Sequence, residues 1–214
     1  MDFGKAFTFA FDDPEWVRKV LINALIGLIP IVGQIYLLGW GLETARRVAM
    51  RSGEPLPDVD FGTHLGHGFR AFVVSIVWTA PIWVIALVLG IISAVATEID
   101  PDIGNTIGAV LGICVGLVGL IFGLFLGVVL PAALTRSAVF GSIKDGLNVG
   151  AVWALVRSAP GAWLMVLLGN ILAGILAGIA GTLLCGIGVF VTTALYQVIM
   201  GHLYGQAYLQ SSAV

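Results

Sequence analysis

Long apolar segments without charge dominate this chain. Residues 71–96 have the sequence AFVVSIVWTAPIWVIALVLGIISAVA, which contains no charged side chain. A helix needs about 20 predominantly apolar residues to cross the hydrocarbon of a bilayer, so this segment is long enough to span it. Residues 107–131, 161–181 and 187–208 are further apolar segments. They are apolar on every side, which is typical of membrane helices and not of the alternating strands of a barrel.

The composition also indicates a chain that is surrounded by lipid. The chain is 59% hydrophobic and 10% charged, whereas a soluble domain carries about 25% charged residues. So few charges cannot cover a globule, and we therefore predict an all-α, multi-pass membrane protein. The net charge is −2 and no basic block is present, so nucleic acid is not expected as a partner.

The first apolar segment is ambiguous. Residues 21–41, LINALIGLIPIVGQIYLLGWG, contain Pro30 and Gly33 at their centre. The segment either crosses the membrane once or folds back at these two residues into two short helices, over 14–29 and 32–51. The first of these would be about 24 Å long, which is shorter than a hydrocarbon core of about 30 Å.

The distribution of basic residues favours the hairpin. If residues 21–41 cross once, three Lys and Arg lie opposite the other seven. If they fold back, all ten lie on one side, and the other side keeps Glu98, Asp100 and Asp102. Because short loops rich in Lys and Arg remain cytoplasmic, we expect the hairpin, with both termini in the cytoplasm of a prokaryotic cell and the protein in its plasma membrane.

These segments predict one integral membrane domain over residues 1–214, a polytopic bundle of about six membrane helices. Phe3, Phe7 and Phe11 have helical spacing and predict an amphipathic helix at the interface before the first hairpin. The predicted parts are the interfacial helix and first hairpin (1–50), a cytoplasmic loop (51–70), a second hairpin (71–131), an interfacial segment (132–160) and a third hairpin (161–208). Within the loop, a short interfacial helix can start near Asp60.

Glycines are concentrated on helix faces. Six of them in the segment 107–131 fall within a stripe roughly 100° wide, and in lipid such a face usually packs closely against another helix. The partner helix can belong to the same subunit or to another one, and a groove for lipid or pigment is a further alternative. The predicted packing residues are Gly108, Gly112, Gly116, Gly119, Gly123, Gly127, Gly169, Gly201 and Gly205.

Uncharged polar residues also occur at membrane depth, where they either bond between helices or line a substrate path. They are Asn23, Gln34, Ser75, Asn170, Thr192, Thr193 and Gln197. Glu43 and Arg46 are three residues apart on the second short helix and are expected to pair locally at its cytoplasmic end.

The inventory for metal binding and catalysis is poor. His64 and His67 form an HxxH pair, but their ligand set is incomplete, and we expect a loop or interfacial pair in place of a metal site. Glu98, Asp100 and Asp102 are expected to form a solvated turn in place of a calcium site. The sequence contains no GxSxG, HExxH or phosphate loop, so we predict no catalytic residue, no metal and no cofactor.

Five short motifs carry a family resemblance. They are IPIVG (29–33) with the GWGLETARR that follows it, LPDVDFG (56–62), SAPGAW (158–163) and GHLYGQAY (201–208). With them the chain resembles the prokaryotic membrane proteins grouped as domain of unknown function 4013. More loosely, it is similar to the membrane domain of some glycerophosphodiester phosphodiesterases, whose catalytic part is absent here. The resemblance implies a helical membrane architecture and assigns no ligand or catalytic residue.

Two functions remain open. The first is a non-enzymatic protein that organises membrane or lipid, or that is a subunit of a membrane assembly, with the bilayer and a second copy or another membrane protein as partners. The alternative is a transporter or channel for a small or lipid-like solute, since transporters build their sites from discontinuous helices.

Overall fold

A computed structural model describes residues 1–52, 56–183 and 188–212. Within those ranges the chain is helical and contains no strand, which confirms the all-α prediction. The elements are α1 (Phe3–Thr8), a 3-10 helix (Phe9–Asp12), α2 (Trp16–Gly27), α3 (Val32–Ala49), α4 (Phe61–Ile99), α5 (Pro101–Phe140), α6 (Ile143–Gly146), α7 (Val149–Ser158), α8 (Pro160–Leu183) and α9 (Gly188–Ser212).

Within the described ranges, three helices are long and apolar enough to cross a membrane: α4, α5 from Asp102 onward, and α8. Most of their apolar side chains are exposed, including Trp83, Ile121 and Ile175. Exposed apolar surface of this extent requires lipid or another protein around it. The chain is therefore a helical protein with helices suited to span a membrane, and the number of six membrane helices stays a prediction.

The predicted bounds of two segments differ from the structure. α4 begins at Phe61, close to the start near Asp60 that was predicted for a short interfacial helix, because the Asp60 side chain accepts from the Thr63 N–H and caps the helix there. It differs from the prediction in being one continuous helix to Ile99, so the residues from 61 to 70 are not a loop. α5 continues to Phe140, past the predicted end at residue 131, even though Pro131 lies inside it. The turn of the third predicted hairpin, residues 184–187, lies outside the described residues.

Residues 21–41 fold back on themselves. α2 ends at Gly27 and α3 begins at Val32, and the two helices contact each other. Gly33 is required at this reversal, because a Cβ there would lie 3.0 Å from the Gly27 carbonyl carbon and closer still to the Ile26 carbonyl oxygen. The Gln34 side chain donates to the Gly27 carbonyl (3.0 Å) and so caps α2. The alternative of one continuous helix is thereby excluded.

The tip of this hairpin is apolar and strained. Ile31 has φ +62° and ψ −60°, and the Val32 N–H donates to the Pro30 carbonyl (2.6 Å), which is the geometry of a γ-turn that is rare for β-branched residues. Ile31 is 72% exposed. The neighbouring N–H groups of Leu28 and Ile29 donate within the chain, which suits a tip surrounded by lipid.

The chain divides into two compact units, each with its own contacts. The first comprises Met1–Ser75 and Val128–Val214, and the second comprises Ile76–Gly127. All ten Lys and Arg lie in the first unit, whereas Glu98, Asp100 and Asp102 lie in the second.

The core of the first unit is built around α9. Helices α3 and α8 make the most extensive contacts with α9, and α1, α2 and α7 also pack against it. At one end Trp163 Nε1 donates to Ser211 Oγ (2.9 Å), and at the other Gly181 lies against Val189, so α8 and α9 are antiparallel. Phe9 is buried and stacks on His202, with 4.3 Å between ring centroids.

Candidate functional site

α3 is in close contact with α4 and α9 through two glycines in its GWG motif. A Cβ at Gly39 would lie 2.6 Å from the Gly68 backbone nitrogen of α4 and closer to the His64 carbonyl oxygen. In return, a Cβ at Gly68 would lie 2.7 Å from the Ile35 carbonyl carbon. The backbones of α3 and α4 therefore touch where they cross, and at either position any side chain larger than hydrogen would collide with backbone.

The second crossing joins α3 to α9. A Cβ at Gly41 would lie 2.9 Å from the Gln197 carbonyl carbon, and one at Gly201 would lie 2.8 Å from the Gly41 carbonyl carbon. One helical turn further along, a Cβ at Gly205 would lie 2.6 Å from the Ala45 carbonyl oxygen. We call these two crossings the glycine seam of α3, defined by Gly39, Gly41, Gly68, Gly201 and Gly205.

Trp40 lies between the two crossings and is fully buried. Its Nε1 donates to the Pro57 carbonyl oxygen (3.2 Å), which attaches the segment before α4 to the middle of α3. The LPDVDFG motif thus meets the GWG motif in space, and the indole satisfies its polar group without water.

A buried lysine joins α2 to the same segment. Lys19 Nζ lies 2.7 Å from Asp13 Oδ2 and 2.8 Å from Asp58 Oδ1, and Lys19 is 8% exposed. The hydrogen bond from Lys19 holds the pKa of the Asp58 carboxyl below its ordinary value. Because residues 19 and 58 are in contact, the chain before α2 and the chain after α3 lie at the same end of the hairpin.

Asn23 lies one turn further along α2 and is fully buried. Its Nδ2 donates to the Lys19 carbonyl (2.7 Å) and its Oδ1 accepts from the Tyr36 hydroxyl (2.6 Å). The Tyr36 ring stacks on Phe61, with 5.3 Å between centroids. Asn23 therefore bonds between helices, as a polar residue at membrane depth is expected to do.

A second charged group lies near the end of α3. The Glu43 carboxylate is buried and accepts two hydrogen bonds from Arg46, at 2.8 Å each, and one from Arg47 at 3.2 Å. His67 Nδ1 of α4 lies 3.3 Å from Glu43 Oε2, without the geometry of a hydrogen bond. This bidentate arrangement compensates the buried charge.

The HxxH pair, which was predicted to be a loop or interfacial pair, lies in the first turns of α4. His64 is buried, and its Nε2 donates to the Asp58 carbonyl (2.8 Å), which leaves Nδ1 without a partner. Within the ranges that the structure describes, no three His, Cys, Asp or Glu side chains are grouped so that they could hold a metal ion. Asp100 accepts from the N–H groups of Asp102 and Ile103 and thereby caps α5.

The predicted glycine residues divide into two groups. Gly169 has close neighbours, since a Cβ there would lie 2.5 Å from Leu203 Cδ1, and Gly108 would meet Ser93 Oγ at 2.7 Å. Gly127 is half-buried. By contrast, a Cβ at four positions would meet no neighbouring atom of the described chain within 4 Å: Gly112, Gly116, Gly119 and Gly123. A packing partner for these four stays a prediction.

Sequence reasoning missed the parts of the seam that α3 and α4 contribute. Gly39, Gly41 and Gly68 were not among the predicted packing residues, and neither was the pairing of Lys19 with two carboxylates. Glycine on both sides of a tryptophan was the available signal for α3. Asp58 carried no comparable signal for its pairing with α2.

The comparisons with known proteins give one family. A family model described as a protein of unknown function (DUF4013) matches residues 22–186, which run from α2 to the connection that follows α8. No curated protein and no solved structure matches the chain. The motif GHLYGQAY lies beyond the matched range, and the looser similarity to the phosphodiesterase membrane domain stays a prediction.

Proposed function

Since this chain belongs to the family of proteins of unknown function DUF4013, we propose that it is a non-enzymatic multi-pass protein of the prokaryotic plasma membrane. Its role is to organise lipid, or to serve as a subunit of a membrane assembly, around a rigid helical body. One observation carries the proposal: the three long helices expose apolar surface, whereas the buried charges of the body are paired within the chain. A protein built in this way presents apolar contacts to the membrane around a body whose buried charges are already paired.

The pairing of buried polar groups supports the non-enzymatic reading. Catalytic groups need access to substrate and a partner for proton transfer. Lys19 and Glu43, in contrast, are held by two carboxylates and by two arginines, respectively. Asn23 has both sides of its amide bonded. These groups stabilise the joints between helices.

The proposed topology follows from the hairpin and the basic residues. The reversal at residues 28–31 puts the ends of α2 and α3 that carry Lys19 and Arg46 at one end of the hairpin. Because Lys and Arg in short loops remain in the cytoplasm, this end and both termini face the cytoplasm. α2 is about 18 Å long, so the hairpin enters the bilayer without crossing it, and its apolar tip lies within the hydrocarbon.

The open glycines of α5 are the proposed contact for a partner helix. Gly112, Gly116, Gly119 and Gly123 lie on one face and leave room for close approach. The native Cys114 is exposed and lies about 160° around the helix from Gly116. It therefore provides a control on the opposite face.

Cross-linking in cell membranes tests this proposal. A Gly116→Cys variant in which both native cysteines, Cys114 and Cys185, are replaced by serine is expected to form disulfide-linked dimers, or a link to one other membrane protein, on mild oxidation. A Cys185→Ser chain that keeps Cys114 on the opposite face is expected to remain unlinked. Native mass spectrometry from mild detergent then identifies the linked species or the lipids retained. A monomer that carries neither lipid nor partner would contradict the proposal.

The interrupted first hairpin favours a second candidate, a transporter or channel for a small or lipid-like solute. Transporters use helix ends at membrane depth as binding sites, and α2 and α3 end and begin at such a break. Here the Gln34 side chain covers the Gly27 carbonyl. A Gln34→Leu variant distinguishes the two candidate functions. If the break between α2 and α3 is a transport site, the variant abolishes solute flux in proteoliposomes. If the break is only structural, the variant lowers stability alone.

A further inference from the structure

Two adjoining cavities lie along one side of α9. The first, of about 290 Å³, is bounded by Gly174 and Gly178 of α8 and by Thr193 of α9. The second, of about 170 Å³, is bounded by α3 near Gly41 and by α9 as far as Tyr204. Both are lined by Tyr196 and Gln197, and together they form what we call the α9 groove.

The polar residues of the groove lie on one face of α9. Thr193, Gln197 and Tyr204 are spaced by four and seven residues, so their side chains point in the same direction. Neither the Gln197 amide nor the Thr193 hydroxyl has a hydrogen-bond partner among the described residues, and both are half-buried. Asn23, Gln34 and Asn170 all have partners. Gln197 therefore differs from these amides at membrane depth.

The position of the groove decides what can fill it. Gln197 lies near the middle of α9 (Gly188–Ser212), and the neighbouring α8 is a candidate span. In hydrocarbon an amide without a hydrogen-bond partner is strongly unfavourable, so an occupant that supplies a hydrogen-bond acceptor or donor is favoured. The residues that line the groove include no Asp, Glu, Lys or Arg, so a charged headgroup would find no counter-charge.

Resting on the proposed membrane function, we propose that the α9 groove binds one neutral glycerolipid of the diacylglycerol class. One acyl chain lies against Gly174 and Gly178, where the missing side chains leave room for it. The ester or hydroxyl oxygens accept from the Gln197 amide and bond with the Thr193 hydroxyl. The glycines give the groove its width, and Gln197 gives it a preference for an uncharged polar head.

Gly178→Leu is the variant that fills the groove without disturbing the fold. A Cβ at Gly178 meets no neighbouring atom within 4 Å, so the new side chain enters the groove without colliding with backbone. Gly161→Leu is the matched control, because a Cβ at Gly161 on the same helix also meets nothing within 4 Å, and Gly161 does not line the groove. Gln197→Leu removes the amide and keeps similar bulk.

The experiment uses the full chain in vesicles of phosphatidylethanolamine and phosphatidylglycerol that contain diacylglycerol with a photoreactive acyl chain. After illumination, labelled peptides are located by mass spectrometry. We expect groove labelling on α8 and α9 in the unchanged chain and in Gly161→Leu. We expect the groove labelling to fall about tenfold in Gly178→Leu. In Gln197→Leu we expect a fall of about fivefold, which is the effect of one lost hydrogen bond. Unlabelled diacylglycerol should compete, and added phosphatidylglycerol should not.

Equal groove labelling in Gly178→Leu and Gly161→Leu would overturn the proposal, as would equal competition by both lipids or cross-linking of a second copy in the groove. Labelling of the exposed apolar side chains Leu168 and Ile171 reports membrane insertion separately. If they are labelled and the groove is not, the lipid site is wrong and the membrane function stands. If neither is labelled, both proposals fail.

Discussion

Replacing Gly39 with alanine should open the crossing between α3 and α4. The added Cβ would lie 2.6 Å from the Gly68 nitrogen, and the His64 carbonyl oxygen would be closer still. Ordinary carbon contacts begin near 3.4 Å, so the two helices must separate by more than about 1 Å to clear the His64 carbonyl oxygen. The obstacle is backbone on a fully packed helix, and no side-chain rotation relieves it.

The magnitude follows from two opposing terms. Overpacking of a tight core costs typically 1–3 kcal/mol, and the rigid backbone here places Gly39→Ala near the upper value. Alanine in place of glycine favours a helix by about 1 kcal/mol. The expected net loss is about 2 kcal/mol, which corresponds to a fall of roughly 4–8 °C in the unfolding midpoint of a chain of this size.

The assay is the thermal unfolding midpoint in mild detergent, followed by the loss of the monodisperse peak in size-exclusion chromatography. Gly116→Ala is the matched control, because a Cβ there meets no neighbouring atom within 4 Å, and its midpoint should be unchanged or slightly higher. Gly39→Ala combined with Gly68→Ala should lose less than the two single losses added, since one separation relieves both. An unchanged midpoint in Gly39→Ala would refute the reasoning.

Three further variants test other parts of the structure. Ile31→Gly should stabilise the chain by about 1 kcal/mol in a thermal melt, because glycine adopts φ +62° without strain and little packing is lost with the exposed isoleucine. A lower unfolding midpoint would argue against a strained turn. Asp58→Asn should flatten the acid limb of a stability–pH curve, because the pKa of Asp58 is depressed: its pairing with Lys19 contributes fully above the ordinary pKa of 3.8 and is lost as pH falls through the lower folded value. The effect is a fraction of about 1 kcal/mol, because Asp58 is largely exposed. An unchanged acid limb would count against the ion pair. Glu43→Gln should cost about 2 kcal/mol in the same melt, because it leaves its arginine partners without a buried counter-charge, and a neutral result would mean that the carboxylate is not buried.

Much of the fold could be predicted because its determinants are local. The uncharged runs at 71–96 and 107–131 identify helices in lipid from length alone. Pro30 and Gly33 mark the reversal, because one lacks an N–H and the other has no Cβ. Charge counting favoured the reversal over a single crossing, and the contact between Lys19 and Asp58 agrees with the reversal.

The seam could not be predicted because it depends on which faces meet. Periodicity shows that Gly112 and Gly116 share a face, but it does not show whether another helix covers that face. The glycines of the seam approach another backbone most closely at Gly39 and Gly68. Unlike Gly112 and Gly116, these two do not belong to a long periodic pattern of glycines. Packing partners far apart in sequence are set by the tertiary fold, and local spacing does not encode them.

The length of α4 was predicted less well than its start. A short interfacial helix was expected from near Asp60, because the stretch after Phe61 is rich in glycine and histidine and low in hydropathy, but the helix continues into the span. The Asp60 cap and the stacking of Phe61 on Tyr36 stabilise that first turn. A tertiary contact therefore overrides the weak local tendency of this segment to form a helix.

The measurement that most directly tests the account is the sidedness of single cysteines in cells. Arg18→Cys and Asp102→Cys, each with the native cysteines replaced by serine, place a thiol before the first hairpin and at the acidic turn. The Arg18 side chain is 71% exposed. A membrane-impermeant maleimide added outside intact cells should label position 102 and leave position 18 unlabelled until the membrane is opened. Labelling of position 18 from outside would contradict the re-entrant hairpin and the topology built on it.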